Sequence, residues 1–178
     1  RLETLFPPPG KTPREDTASV MKFYGLPKSF PQDVMAEARG LSKKADPEGR
    51  LDLRNKFIFT CDPVTARDYD DAISFEVDHK GNRVLGVHIA DVSHFVKPGG
   101  AIDREAYKRG MSVYLADRVV PMLPEELSNG VCSLVPGQDR LAFSVFMTFN
   151  KSGEMIKRSF AKSIIRSRAR FTYEQVMT

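Results

Sequence analysis

The alternation of apolar and polar positions changes character near residue 50. Ahead of it, apolar residues recur at helical spacing. Thr12 is placed to cap a helix, Pro13 suits the first helical position and Glu15 completes a capping box. Val20, Met21, Phe23 and Tyr24 give that helix an apolar side, and Gly25 with Pro27 ends it. A second helix is expected from Pro31 to Arg39, capped by Ser29 and closed by Gly40. Leu5 to Gly10 reads as a linker, and Ser42 to Asp52 as a polar surface connection. Beyond this the period shortens to that of strands. Lys56 to Thr60, Ala72 to Val77 and Arg83 to Ala90 are β-like runs, the last two joined by a hairpin turn at His79-Lys80-Gly81-Asn82. Asp103 is expected to cap a short helix over Arg104 to Arg109 that Gly110 stops. Another short helix should run from Pro124 to Leu127, with Asn129-Gly130 as its stop. Leu141 to Asn150 and Met155 to Ile165 predict a long hairpin around Lys151-Ser152-Gly153. Thr172 to Gln175 opens a last helix with a capping box. The chain ends about one turn later, a length that is not stable alone, so the sequence is expected to be a piece cut inside a larger domain.

Composition narrows the class. With 178 residues, 41% hydrophobic and 28% charged, the chain is long enough for one medium domain with its own core. No apolar run approaches the ~20 residues that cross a bilayer, and no signal-peptide pattern is present. The two cysteines, Cys61 and Cys132, make no disulfide framework and lack metal-ligand spacing. They read as small buried apolar side chains in a reducing, cytoplasmic compartment. The net charge of +4 permits a polyanionic partner without demanding one.

The chemistry concentrates in Asp62-Pro63-Val64-Thr65-Ala66-Arg67-Asp68-Tyr69-Asp70-Asp71-Ala72, which holds four carboxylates within ten residues. Two such charges about 4 Å apart repel by about 4 kcal/mol at an effective dielectric near 20. Gathering four needs a cation, strong solvation or a protonated member. Turn and cap roles account for any single aspartate but poorly for all of them together. The spacing does not suit an EF-hand loop, which wants a turn glycine and a glutamate at its twelfth position. A magnesium site for phosphodiester hydrolysis remains, since Mg²⁺ takes carboxylate oxygens and shares phosphate oxygens with a substrate.

The pattern Asp-Pro-x-x-Ala-Arg-Asp-x-Asp-Asp-Ala at Asp62 to Ala72 resembles the catalytic signature of the ribonuclease II/ribonuclease R (RNB) family. Gly86 to Ser93, and Ser112 to Leu115 through Val120 to Pro124, resemble the same family, so the likeness runs from about Leu51 onward. Tyr24 to Pro27 and Phe30-Pro31 resemble the segment preceding that domain. The resemblance implies an α+β fold with a mixed, largely antiparallel sheet and flanking helices, the N-terminal part of an RNB-type catalytic domain. Residues 50–178 would be that portion, and 1–49 a linker with two short helices following an upstream OB-type domain. It also implies a processive, hydrolytic 3′-to-5′ exoribonuclease that degrades single-stranded RNA to nucleoside 5′-monophosphates. Mg²⁺ would be the cofactor, with no small-molecule cofactor and no membrane partner; the oligomeric state stays open. A competing class is an RNA-binding or scaffold module whose acidic loop does not catalyse. An unrelated metal-dependent phosphatase is a third.

Carried over residue by residue, Asp62, Asp68 and Asp71 are expected at the metal, and Asp70 is the aspartate whose loss should harm turnover most. Tyr114 falls in a segment resembling the family's 3′-end clamp; otherwise it would be a core strand tyrosine. Tyr173 matches an aromatic position near the terminal nucleotide; otherwise it opens a helix. Arg67 contacts phosphate, organises the aspartates or makes a structural salt bridge. His88, Asp91, Ser93 and His94 match no zinc pattern and read as ordinary strand and loop residues. Arg158, Lys162, Arg166, Arg168 and Arg170 share one parity, which on an extended strand gives a basic face, either tracking RNA or simply solvated. Phe160 and Ile164 interrupt it. The family's downstream arginine motif and glutamate have no counterpart in these residues, so this piece alone is expected to have little or no nuclease activity.

Overall fold

The computed structural model describes residues 12–41 and 44–177. The linker expected at Leu5 to Gly10 lies outside them, as do Ser42 and Lys43. The chain forms two compact units, one from residues 1–40 and 97–125, the other from 41–96 and 126–178.

The first unit holds α1 (Pro13–Phe23), α2 (Gln32–Arg39), α4 (Ala101–Arg109) and a small hairpin of β5 (Val113–Tyr114) and β6 (Val119–Val120). Thr12 caps α1 as expected, its hydroxyl accepting the Glu15 N–H at 3.3 Å. Two caps differ from expectation. Pro31, not Ser29, precedes α2, and no side chain caps it. Helix α4 starts at Ala101, so Asp103 lies inside its first turn, where its carboxylate accepts the Gly99 N–H. The N-terminal N–H groups of Ala101 and Ile102 go instead to Glu37 Oε2, at 2.6 and 3.3 Å. A carboxylate on α2 thus serves as a tertiary cap for α4, complementing the positive end of its dipole. Met21, Val34, Ala38, Ile102 and Val120 are buried.

The second unit is built on a seven-stranded sheet in the order β1-β8-β7-β4-β3-β2-β9. Its strands are β1 (Leu51–Asp52), β2 (Ile58–Asp62), β3 (Asp71–Val77), β4 (Arg83–Ala90), β7 (Asp139–Phe149), β8 (Met155–Arg166) and β9 (Ala169–Thr172). Single helical turns, α3 (Val92–Phe95) and α5 (Tyr173–Val176), follow β4 and β9. All neighbours run antiparallel except the outer pairs β1–β8 and β2–β9. The β7–β8 hairpin has the expected turn, though both strands run further than the apolar pattern indicated. Strand β2 begins two residues later than expected, at Ile58, and continues to Asp62. The short helix expected at Pro124 to Leu127 is a wide helical turn over Glu126–Val131, interrupted at Gly130. The α+β class and the mostly antiparallel sheet agree with the sequence reading.

One face of the sheet is closed by Ile58, Thr60, Ala72, Ser74, His88, Ala90, Ala142, Ser144 and Ser163. The alternate positions leave Phe57, Phe75, Ile89, Phe143 and Phe160 exposed. The buried face carries a polar chain across four strands. His88 sits between Ser74 Oγ, 3.0 Å from Nε2, and Ser144 Oγ, 2.7 Å from Nδ1. Ser144 Oγ lies 2.6 Å from Ser163 Oγ, which donates to the Ala142 carbonyl at 3.2 Å. That last carbonyl has no proton to give, so the direction of the chain is set. Ser163 accepts from Ser144, Ser144 accepts from His88 Nδ1–H, and Nε2 accepts from Ser74. Gly86, opposite Ser74 in the register, makes this possible. A Cβ there would stand 2.3 Å from Ser74 Oγ and 2.9 Å from His88 Nε2.

A second buried device fixes the end of β4. Arg50 donates to Asp91 Oδ2 at 2.7 Å, with both side chains at least 95% buried (5% and 3% exposed). The same guanidinium reaches the carbonyls of Ala142 and Ser163, and Ser93 Oγ donates to Asp91 Oδ1. His88 and Asp91 are structural residues, as the sequence suggested. Cys132 is buried, its thiol pushed up to about 12 by desolvation. Cys61 differs from the buried role expected of it: it is half-buried, because it alternates with the buried Thr60 and Asp62.

Candidate active site

The four aspartates come together because two adjacent antiparallel strands begin and end there. Asp62 is the last residue of β2 and Asp71 the first of β3, while Asp68 and Asp70 lie in the connecting loop. The loop is fastened at its second arm through the main-chain groups of Tyr69 and Asp70. Tyr69 N–H donates to Ser133 Oγ at 3.1 Å, the Tyr69 carbonyl accepts Leu134 N–H at 2.8 Å, and the Asp70 carbonyl accepts Ala90 N–H at 2.9 Å.

Asp62 is 9% exposed, whereas Asp70 and Asp71 reach the surface and Asp68 is intermediate. The Thr60 hydroxyl lies beside the Asp62 carboxylate and favours its charged form. Even so, Asp62 Oδ2 and Thr60 Oγ1 are buried with no hydrogen bond of good geometry among the described residues. Burial first, then the charges of Asp71 and Asp68, raise the Asp62 pKa above the ordinary carboxylate value; Thr60 and Arg170 oppose them. Asp70 is raised too, by partial desolvation and then by Asp68, Asp71 and Asp62. The four fields therefore overlap, as the crowded sequence required.

Among the described residues no group of three or more His, Cys, Asp or Glu side chains is arranged to hold a metal ion. Magnesium keeps several waters and needs only one or two carboxylates plus substrate phosphate. The orphaned buried Asp62 Oδ2, in the field of three further acids, is the oxygen such an ion would take.

The remaining expected residues separate. Tyr173 opens α5 directly after Thr172, whose Cα is the register partner of Asp62, and it is 54% exposed. Tyr114 belongs to the first unit, on β5 opposite Val119, and is 69% exposed, so it is not a core tyrosine. Arg67 is exposed and makes no ion pair among the described residues. The basic row is broken up. Arg166 pairs with Asp139 at 2.7 Å, Arg168 donates to the Arg54 carbonyl, and Arg170 turns to the acidic loop. Arg170 is the residue that sequence reasoning misplaced. Its partners lie more than a hundred positions away, and only the parallel pairing of β9 with β2 brings them near.

Residues 50–178 match the RNB domain, and the chain belongs to the RNB-domain family. Ribonuclease R of Thermotoga maritima is 47% identical over 190 aligned positions, covering 96% of this chain and 27% of that protein. Two solved structures of Mycoplasma genitalium ribonuclease R each superpose with a TM-score of 0.87. One is in complex with double-stranded RNA, at 34% identity over 94% of this chain and 30% of that one. The other holds ribose-methylated single-stranded RNA, at 35% identity over 93% of this chain and 26% of that one. The chain thus spans about a quarter of the length of its curated relative.

Proposed function

We propose that Asp62, Asp68, Asp70 and Asp71 form the hydrolytic centre of a processive 3′-to-5′ exoribonuclease, which in its full length degrades single-stranded RNA to nucleoside 5′-monophosphates. Residues 50–178 would be the N-terminal portion of its catalytic domain. Residues 1–49 would be the connection from an upstream OB-type domain. The observation that carries the reading is the buried, unpartnered Asp62 Oδ2 amid three more carboxylates. Without a cation such a group is a net cost to folding. Family membership and the RNA-bound ribonuclease R neighbours support RNA as the substrate.

Asp62, Asp68 and Asp71 would hold Mg²⁺, which when bound polarises a phosphate oxygen and makes water more acidic. Asp70, exposed and more basic than an ordinary aspartate, orients the attacking water and accepts its proton at a carboxylate oxygen. Tyr114 and Tyr173, both exposed at the surface, stack on bases, an interaction of about 1–3 kcal/mol per base that tolerates any sequence. Arg67, exposed beside the aspartates in the chain, donates to backbone phosphate. The same reading places the protein in the cytoplasm. No helix among the described residues is long and apolar enough to cross a membrane.

The test is digestion of single-stranded RNA by the full-length protein with Mg²⁺ or with chelator, comparing wild type with Asp70→Asn. Expected are Mg²⁺-dependent release of monophosphates and a turnover lost in Asp70→Asn, with RNA affinity nearly unchanged. RNA binding without Mg²⁺-dependent hydrolysis would refute the enzyme and leave a binding module.

A further inference from the structure

The proposed centre sits on a loop whose two arms are held differently. Tyr69 and Asp70, in the second arm, are tied to Ser133, Leu134 and Ala90 by main-chain groups. The first arm, Pro63 to Arg67, turns back on itself, Ala66 N–H donating to the Pro63 carbonyl at 3.0 Å. Its described hydrogen bonds to the sheet both come from one side chain. Arg170 Nη2 donates to the Pro63 carbonyl at 2.8 Å and to the Val64 carbonyl at 2.9 Å. Its guanidinium carbon stands 5.2 Å from the centre of the Tyr69 ring, whose hydroxyl donates to the Ala66 carbonyl. One side chain therefore touches both arms, and its charge also faces Asp62.

The register explains why Arg170 can do this. It pairs with Thr60 across β2–β9, two positions from the Asp62–Thr172 pair, so it shares a sheet face with Thr60 and Asp62. The arrangement leaves Arg170 Nε buried without an acceptor among the described residues. An unmade buried bond costs about 1–3 kcal/mol. A side chain chosen for stability alone would avoid that cost. Such a local violation is expected where the geometry serves a site.

We propose that Arg170 is the positioning residue of the acidic loop. Through Nη2, with its guanidinium plane beside Tyr69, it clamps the Pro63–Val64 turn, and so sets where Asp68 and Asp70 stand relative to Asp62 and Asp71. The proposal rests on the reading of those aspartates as a hydrolytic centre. Lysine would keep the positive charge but has no planar group to lay beside the Tyr69 ring, so Arg170→Lys separates geometry from charge.

The experiment uses the full-length protein with Arg170→Lys and Arg170→Ala, single-stranded RNA with Mg²⁺, and amide hydrogen exchange without either. In Arg170→Lys, kcat should fall about 10-fold to 100-fold, the scale of a small misplacement of catalytic groups, while KM stays within about threefold, as for an interaction realised only in the transition state. Amides from Val64 to Asp70 should exchange faster, with those of β3, β4 and β7 unchanged. Three results would overturn the proposal: wild-type kcat and loop exchange in Arg170→Lys, a raised KM at unchanged kcat, or protection lost throughout the sheet in both variants. If the wild type shows no Mg²⁺-dependent hydrolysis, the reading of the aspartates is what fails. The exchange rates still decide whether Arg170 holds the loop.

Discussion

Acidification should weaken the sheet beneath the acidic loop, through His88. The imidazole is fully buried, and burial pushes its pKa down from 6.5 to about 4, with the Lys56 charge adding in the same direction. The chain from Ser74 to Ala142 reserves Nε2 as an acceptor, so protonation there sets a second donor against the Ser74 hydroxyl. A histidine whose folded-state pKa is depressed binds its proton preferentially in the unfolded chain. Its stabilising contribution is therefore complete above pH 6.5 and is lost as the pH falls from there toward 4. At about 1.4 kcal/mol per pH unit for one proton, that interval amounts to about 3 kcal/mol, a large share of a typical domain's stability. His88 pairs with Ala72, the neighbour of Asp71, so the loosening falls next to the site. The assay is urea unfolding of wild type and His88→Gln at intervals from pH 7.5 to 4. The variant lacks a titrating group at this position, so the gap between the two proteins isolates the histidine from the carboxylates. The gap should shrink by about 3 kcal/mol over that range. A constant gap, or a His88 ring titrating near 6.5 by NMR in the folded protein, would refute the reasoning.

Three further outcomes follow from the same geometry. Gly86→Ala should destabilise by about 1–3 kcal/mol through overpacking, because its Cβ meets Ser74 Oγ at 2.3 Å. Adding Ser74→Ala should recover part of this in urea unfolding, and no recovery would mean the clash is not the cause. Asp91→Ala should cost about 3–5 kcal/mol by stranding the buried Arg50 charge. Burial raises the Asp91 pKa, but hydrogen bonds from Arg50 and Ser93 outweigh it and leave the pKa lowered; the stability it supplies should therefore be present at neutral pH and fade as the pH falls below the ordinary carboxylate range. Asp62→Asn should leave the unfolding temperature in chelator unchanged or higher, since it relieves a buried charge. It should also reduce the rise that Mg²⁺ produces in wild type by mass action; equal rises by calorimetry would remove Asp62 from the metal.

Local patterns carried much of the molecule. The strands of the β3–β4 hairpin were legible because period-two burial writes itself into a strand, and β4 runs over Arg83–Ala90 as the pattern indicated. The caps at Thr12 and Thr172 were legible because their partners are three residues apart, and Thr172 caps α5 through both bonds of its capping box. The expected start of α4 failed for the opposite reason. The N-terminus of α4 is satisfied by Glu37, more than sixty positions away, and no local rule reveals a cap brought by another helix.

The acidic loop shows the same division. The sequence by itself determined that four carboxylates lie between two strands, and repulsion alone requires a compensating partner for them. Which of the acids is buried, and which cation faces it, depended on strand pairing. Asp62 loses its solvent because it lies with Ile58 and Thr60 on the buried face of β2. Arg67 adjoins the aspartates in the chain yet points to solvent, while Arg170, read as part of an outward basic row, holds the loop. Side-chain type and spacing are local properties and survive in a linear string. Burial, register and the direction of a long cationic side chain are set by which distant strands come to lie side by side, and those only the tertiary structure decides.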